Sequence, residues 1–212
     1  MKCIVNIYLV LLITGPFLTT CYAAIGQVEA TPLRDKDGNT YSVKTMADGR
    51  IWMTQNLVTN IPDSHCYDNA LQNCKEYGRL YTWESAQEGC RLLGDGWRLP
   101  TTEEWVQMAG GYGGVFGESR DSGRSAYKAL LKDGPAGFNA LLGGGREPDA
   151  NKYARLEAHG FYWTATEFDT TSARFLNFAK GAGKLFIQES GEKRRAFSVR
   201  CVKGNRDSKE KP

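Results

Sequence analysis

Recognisable catalytic chemistry is what this chain has least of. Its two histidines, His65 and His159, show no ligand spacing, and no Cys-x-x-Cys occurs among its six cysteines. Both absences argue against a zinc site. There is no G-x-S-x-G elbow and no H-E-x-x-H, so the nucleophile and metalloprotease patterns have no foothold. Lys180–Lys184 (KGAGK) has a phosphate-loop ending, but the required first glycine falls on Phe178. Gly110–Gly114 (GGYGG) neither fits the dinucleotide pattern nor opens a helix after a strand. Charge of one sign is scarce too: the net is +3, and losing residues 1–23 removes Lys2 and no acid, leaving +2. That is too little to argue for nucleic acid or an anionic membrane as partner.

Long apolar runs are also missing, with one short exception. Met1-Lys2 precedes CIVNIYLVLLITGPFL, interrupted by Asn6 and ended by Gly15-Pro16. The run falls short of the ~20 residues that span a bilayer, so it reads as an export signal. Cleavage after Ala23, with small residues at −3 and −1, releases a chain starting at Ala24. Leu18–Cys21 is a loose lipobox with Thr20 in place of the usual small residue, which makes Cys21 a candidate lipidation site. The expected plan is a signal at 1–23, a linker at 24–32, one domain at 33–204 and a polar tail at 205–212, exported to the periplasm, cell surface or exterior. Any contact with a membrane would run through the lipid at Cys21.

With Cys3 and Cys21 assigned to the signal, Cys66, Cys74, Cys90 and Cys201 remain, an even number that in an oxidising compartment reads as two disulfides. Cys66 and Cys74 bracket the polar loop YDNALQN and need only a tight turn to meet. That leaves Cys90 for Cys201.

Periodicity then organises the body. Asp37-Gly38-Asn39 and Ala47–Arg50 are turn signals between short β segments over Leu33–Leu57. Read as a calcium loop, Asp35–Asn39 fails, with Thr40 where glycine is needed and Met46 where glutamate is needed. Thr82–Leu93 carries Trp83, Ala86, Cys90 and Leu93 on one helical face. Thr101 and Glu104 have capping-box spacing before a second helix with Trp105, Met108 and Ala109 on its apolar side. Gly110–Gly160 reads as a long, loop-dominated excursion. Gly160–Thr166, Ala173–Phe178, Lys184–Gln188 and Ala196–Lys203 follow as strands of an antiparallel meander, with Phe197, Val199 and Cys201 inward. The expected class is α+β: two short helices, a small mixed or antiparallel sheet and a long loop region, closed by disulfides.

The stretches DKDGNTY, IWMTQNL, CYDNALQNCKEYGRLYTWESA, CRLLGDGWRLPTTEEW, FYWTATE and FSVRCVK, spread in order over Leu33–Gly204, closely resemble the Fibrobacter succinogenes major paralogous domain. The resemblance implies a C-type-lectin-like fold, two helices, termini brought together, and Cys90 bridged to Cys201. Where the family commonly has a Cys-Pro-Pro-Gly-Trp link, this chain has RLLGDG, which predicts a first helix one turn longer. Sulfatase-modifying relatives of the fold act through a cysteine pair near the C-terminus. Only Cys201 lies there, so that activity does not carry over. Lectin-type calcium binding uses Glu-Pro-Asn and Trp-Asn-Asp motifs; Glu147-Pro148-Asp149 is a near miss, and Trp163–Glu167 lacks the Asn-Asp. No cofactor is expected, calcium at that loop being the one metal reading considered.

Function on this reading is a surface-associated binding module presenting loops to a glycan or protein. Relatives of the fold that act as receptors vary their late strands, which marks Glu167, Asp169, Arg174, Asn177 and Lys180, with the Gly110–Tyr153 excursion, as the candidate ligand surface. Tyr112, Phe116, Tyr153, Phe161 and Phe168 are candidate stacking aromatics; Trp83, Trp97, Trp105 and Trp163 read as core, and Trp52 as either. A cell-envelope enzyme and an adhesive component of an assembly are the alternatives.

Overall fold

Thr101 begins the best-defined helix because its hydroxyl accepts the Glu104 N–H at 3.2 Å while the Glu104 carboxylate accepts the Thr101 N–H at 2.9 Å. Two N–H groups that a helix start leaves orphaned are thereby satisfied. The helix runs Thr102–Gly110, and Trp105, Met108 and Ala109 are fully buried along it. This architecture comes from a computed structural model that describes residues 32–149 and 152–204. The export signal, Cys21, the linker up to Thr31 and the tail from Asn205 lie outside those residues.

In chain order the elements are β1 (Leu33–Arg34), β2 (Thr40–Tyr41), β3 (Val43–Thr45), β4 (Ile51–Met53), β5 (Ser64–His65), a 3-10 turn (Tyr67–Asn69), α1 (Leu71–Tyr77), β6 (Leu80–Tyr81), α2 (Trp83–Arg91) and β7 (Trp97–Arg98). There follow α3 (Thr102–Gly110), α4 (Arg124–Leu130), β8 (Gly143–Arg146), β9 (Tyr153–Leu156), β10 (His159–Glu167), β11 (Ser172–Ala179), β12 (Lys184–Glu192) and β13 (Val202–Lys203). The class is α+β, with both expected turns in place: β1 pairs β2 across Asp37–Asn39, and β3 pairs β4 across Ala47–Arg50.

Several expectations need correction. The described residues hold four α-helices rather than two. α1 has no buried residue, so no apolar stripe announced it. α2 ends at Arg91, two residues short of the expected Leu93; Leu92 and Leu93 continue as a turn closed by the Gly94 N–H on the Arg91 carbonyl at 3.0 Å. The excursion after Gly110 is mostly turns and irregular chain, as expected, but it is not a mere surface loop. It contains α4 and β8 and sends Val115, Ala126, Tyr127, Leu130, Phe138 and Ala140 into the core.

The sheets are also several rather than one: two, five, four and two strands. The five-stranded sheet has the order β12-β11-β10-β8-β9, with β10–β11–β12 antiparallel as expected and β8 parallel to β10. Ala196–Lys203 does not extend this meander. β13 instead lies between β4 and β7, so the last strand joins the first part of the chain. Alternation could not reveal this, because Ser198, Arg200 and Val202 are as buried as Phe197, Val199 and Cys201.

Successive β10 residues face opposite ways. Trp163 joins a core with Phe175, Phe197, Cys90 and Cys201, and Tyr162 joins a second with Trp52, Trp105, Phe138 and Phe178. All five tryptophans are therefore packing residues, Trp52 included, whose Nε1 donates to Asp48 at 3.0 Å. Both disulfides form as assigned, Cys66–Cys74 and Cys90–Cys201, the latter bridging a separation of 111 residues.

Candidate functional site

One buried side chain organises a cleft beside the β1–β2 turn and α1. Arg200, just ahead of β13, is fully buried. Its Nε donates to Asn56 Oδ1 at 2.6 Å, its Nη1 to the Met53 and Phe138 carbonyls at 3.2 and 2.8 Å, and its Nη2 to the Asn139 carbonyl at 2.6 Å. The Phe138 ring lies 4.8 Å and the Tyr162 ring 5.9 Å from the guanidinium carbon. None of these partners is a carboxylate. Burial pushes the guanidinium down to about 10, which leaves it charged at neutral pH.

Asn56 passes the clamp on, its Nδ2 donating to the Tyr77 carbonyl at the end of α1 at 2.7 Å. Gly78 makes that approach possible: φ is 81°, and a Cβ there would sit 2.6 Å from Asn56 Cβ. The β1–β2 turn is fixed separately. Asp35 accepts from the Asp37 and Asn39 N–H groups, Asn39 Nδ2, the Tyr41 hydroxyl at 2.6 Å and the Thr59 hydroxyl at 2.7 Å. Burial pushes its carboxyl up, but the bonds from Tyr41, Asn39 and Thr59 outweigh this and hold it below its ordinary range. Asp35 is therefore committed to the turn.

Between these elements lies a cleft of about 700 Å³, floored by Asn56 and Arg200 and walled by Asn39–Tyr41, Thr54-Gln55, Lys75-Glu76, Lys132-Asp133 and Asn139. Its size falls within the ~300–1,000 Å³ typical of small-ligand sites. The lining mixes amides and hydroxyls with three cations and two carboxylates and includes no His, Cys or Ser. Sequence reasoning missed it because its six segments are scattered along the chain and none carries a motif. The signal available was Arg200, a charged residue in the otherwise apolar run FSVRCV.

The residues singled out from the sequence stand elsewhere. Glu167 pairs with Lys193 Nζ at 3.0 Å, and that ammonium lies 4.4 Å from the Trp83 ring centre. Asp169 accepts the Thr171 and Ser172 N–H groups at 2.8 Å each, and these bonds lower its pKa. Arg174 keeps Nε buried without a hydrogen-bond partner. Asn177 Oδ1 lies 2.8 Å from His159 Nδ1, and Lys180 is exposed just past β11. Glu167 and Asp169 thus occupy one end of β11, and Asn177 and Lys180 the other. Eight residues of strand, roughly 26 Å at ~3.3 Å per residue, separate the ends.

Phe116 and Phe168 are about half exposed, and Phe116 packs on Phe186 at 4.9 Å; Tyr112, Tyr153 and Phe161 are partly buried. Glu147 pairs with Arg195 at 2.7 Å. No group of three or more His, Cys, Asp or Glu side chains able to hold a metal occurs among the described residues.

Fold and cleft together define a disulfide-clasped α+β domain whose final strand lies against its opening ones. The family model of the Fibrobacter succinogenes major domain matches residues 41–203, and the chain belongs to that family. No curated protein and no solved structure matches it.

Proposed function

We propose that the chain is an exported, non-catalytic binding module, and that the cleft over Arg200 is where it takes its ligand. The observation that carries this is the character of the cleft. Amide and hydroxyl side chains from three segments, Asn39–Tyr41, Thr54–Asn56 and Asn139, converge on a floor fixed by the Arg200–Asn56 clamp, while its two carboxylates, Glu76 and Asp133, sit beside lysines at the mouth. A preformed polar concavity of this kind recognises a polyhydroxylated ligand through many directed hydrogen bonds. A glycan therefore suits it better than a flat protein surface would.

Export is supported by the two disulfides, which persist in oxidising compartments. No helix among the described residues is long and apolar enough to cross a membrane. The C-type-lectin-like relationship belongs to the same proposal: α2 and α3 beside the paired opening and closing strands, with the Cys90–Cys201 bridge, are what support it. The late-meander residues Glu167, Asp169, Arg174, Asn177 and Lys180 offer a secondary contact surface.

A glycan array probed with the exported chain tests the reading. Binding to a defined set of saccharides, reduced by Asn39→Ala and by Gln55→Ala at the cleft wall, is the expected result. Silence across the array from correctly folded protein, or binding unaffected by either change, would overturn it.

A further inference from the structure

Resting on that reading, we infer that the saccharide recognised in the cleft carries a carboxylate: the ligand is an acidic sugar, bound over the buried charge of Arg200. The argument begins with charge accounting at the floor. Arg200 is the largest cation inside the domain, is fully buried, and is held by carbonyls, one amide and two ring faces. No Asp or Glu among the described residues pairs with it. A guanidinium sequestered this way normally has a carboxylate beside it, because carbonyl dipoles only partly replace water around a full charge.

Arg200 borders the cleft, so its field reaches a ligand that displaces the water there. At the mouth, Lys75 and Lys132 make no side-chain hydrogen bond or ion pair within the described residues, and the neighbouring Glu76 and Asp133 offset their charge. Among the residues that line the cleft, Lys75, Lys132 and Arg200 outnumber Glu76 and Asp133 by one charge, the unmatched one lying under the floor, while Asp35 behind the Asn39–Tyr41 wall is already held by its own donors. One charge suits a monoanion such as a carboxylate, whereas a phosphate dianion would need more. The guanidinium is sealed beneath the floor, so it acts on the ligand through space, and the amides of the wall make the direct contacts. Arg200 is thus a specificity device whose position is fixed by its own carbonyl clamp.

The test compares ligands that differ only in that charge. The exported full-length chain is titrated by calorimetry with oligomers of galacturonate and of glucuronate, and with their neutral methyl esters. We expect one of the acids to bind at least about tenfold more tightly than its ester. The gap should narrow as salt rises from about 0.05 M to about 0.5 M, because part of the attraction crosses the solvent-filled cleft. Lys75→Met and Lys132→Met combined with Glu76→Gln and Asp133→Asn, which leaves Arg200 the one charge among the lining residues, should keep the gap open; a gap abolished by that change would move the specificity to the rim and overturn the assignment to Arg200. Equal affinity for acid and ester would overturn the acidic-sugar inference while leaving the binding reading standing. Binding of neutral array glycans alone would do the same. No heat from any acid or ester would overturn it as well, and only silence on the whole array would remove the binding reading with it.

Discussion

Arg200 shows how one residue can join distant parts of a chain through main-chain acceptors. It bonds carbonyls from the end of β4 and from the segment ahead of β8, which lie 147 and 62 residues away in sequence. Removing the guanidinium strands those acceptors in the interior, so Arg200→Met should cost about 3–5 kcal/mol in urea-unfolding free energy. Arg200→Lys keeps the charge but not the planar fork, and should recover only part of that loss. Glu104 allows a second test. Burial alone would raise its pKa, but the Arg98 bonds at 2.5 and 2.6 Å, the Thr101 N–H and the Arg50 charge lower it below the ordinary 4.5. A carboxylate depressed in this way contributes stability that is fully present above about pH 4.5 and is lost as pH falls through the folded value. Glu104→Gln should therefore flatten the decline of Tm between neutral and acidic pH, and a variant that keeps the wild-type slope would place the acid sensitivity elsewhere.

Among the elements, α1 is the one the sequence hides and the cleft depends on. It buries no residue, and Leu71 at its start is 73% exposed. Packing therefore cannot hold it, and short isolated helices are marginal in water. Three other ties do: the Cys66–Cys74 bridge, the Asn56 amide on the Tyr77 carbonyl, and the close approach of Gly78 to Asn56. Since Lys75 and Glu76 of α1 form one wall of the cleft, these ties set its width. Gly78→Ala, forced into a positive φ and a 2.6 Å contact with Asn56 Cβ, should destabilise the domain by about 2–3 kcal/mol and weaken ligand binding more than Gly38→Ala, which also has positive φ but open space around it. Equal effects from the two changes would show that conformational strain, not the Asn56 contact, matters. α2 and α3, by contrast, were legible from sequence, because each combines a buried stripe with a terminal signal: Trp83, Ala86 and Cys90 in the first, the Thr101–Glu104 box and Trp105 in the second. α4 showed in the sequence only as the short apolar run Ala126–Leu131 inside the excursion, and β13 was misplaced because both faces of the run that leads into it are covered.

For the molecule as a whole, closure depends on β13 lying between β4 and β7 and on Cys201 being bonded to Cys90 in α2. The bridge was readable by counting thiols, whereas the site was not: a cleft assembled from six separate segments leaves no local pattern, only the oddity of an arginine in an apolar run. β13 contributes two paired residues to its sheet, and the residues before it add main-chain bonds to Arg146, Tyr81, Phe161, Leu57 and Met53. The disulfide adds a covalent restraint to these, and with 111 residues between its cysteines it removes much of the freedom of the unfolded chain. On a chain-entropy model the Cys90→Ala, Cys201→Ala pair should lose nearly 5 kcal/mol, against roughly 2–3 for Cys66→Ala, Cys74→Ala. For a domain of this size the larger loss corresponds to a Tm decrease of roughly 10–15 °C. Because Arg200 immediately precedes Cys201, the same change should also loosen the floor of the cleft, so that hydrogen exchange at Asn56 and Leu57 rises together with exchange at Val202. A Cys90/Cys201 variant that melts like the wild type, or that protects Asn56 unchanged while Val202 exchanges freely, would show that the guanidinium clamp closes the domain without the covalent bond.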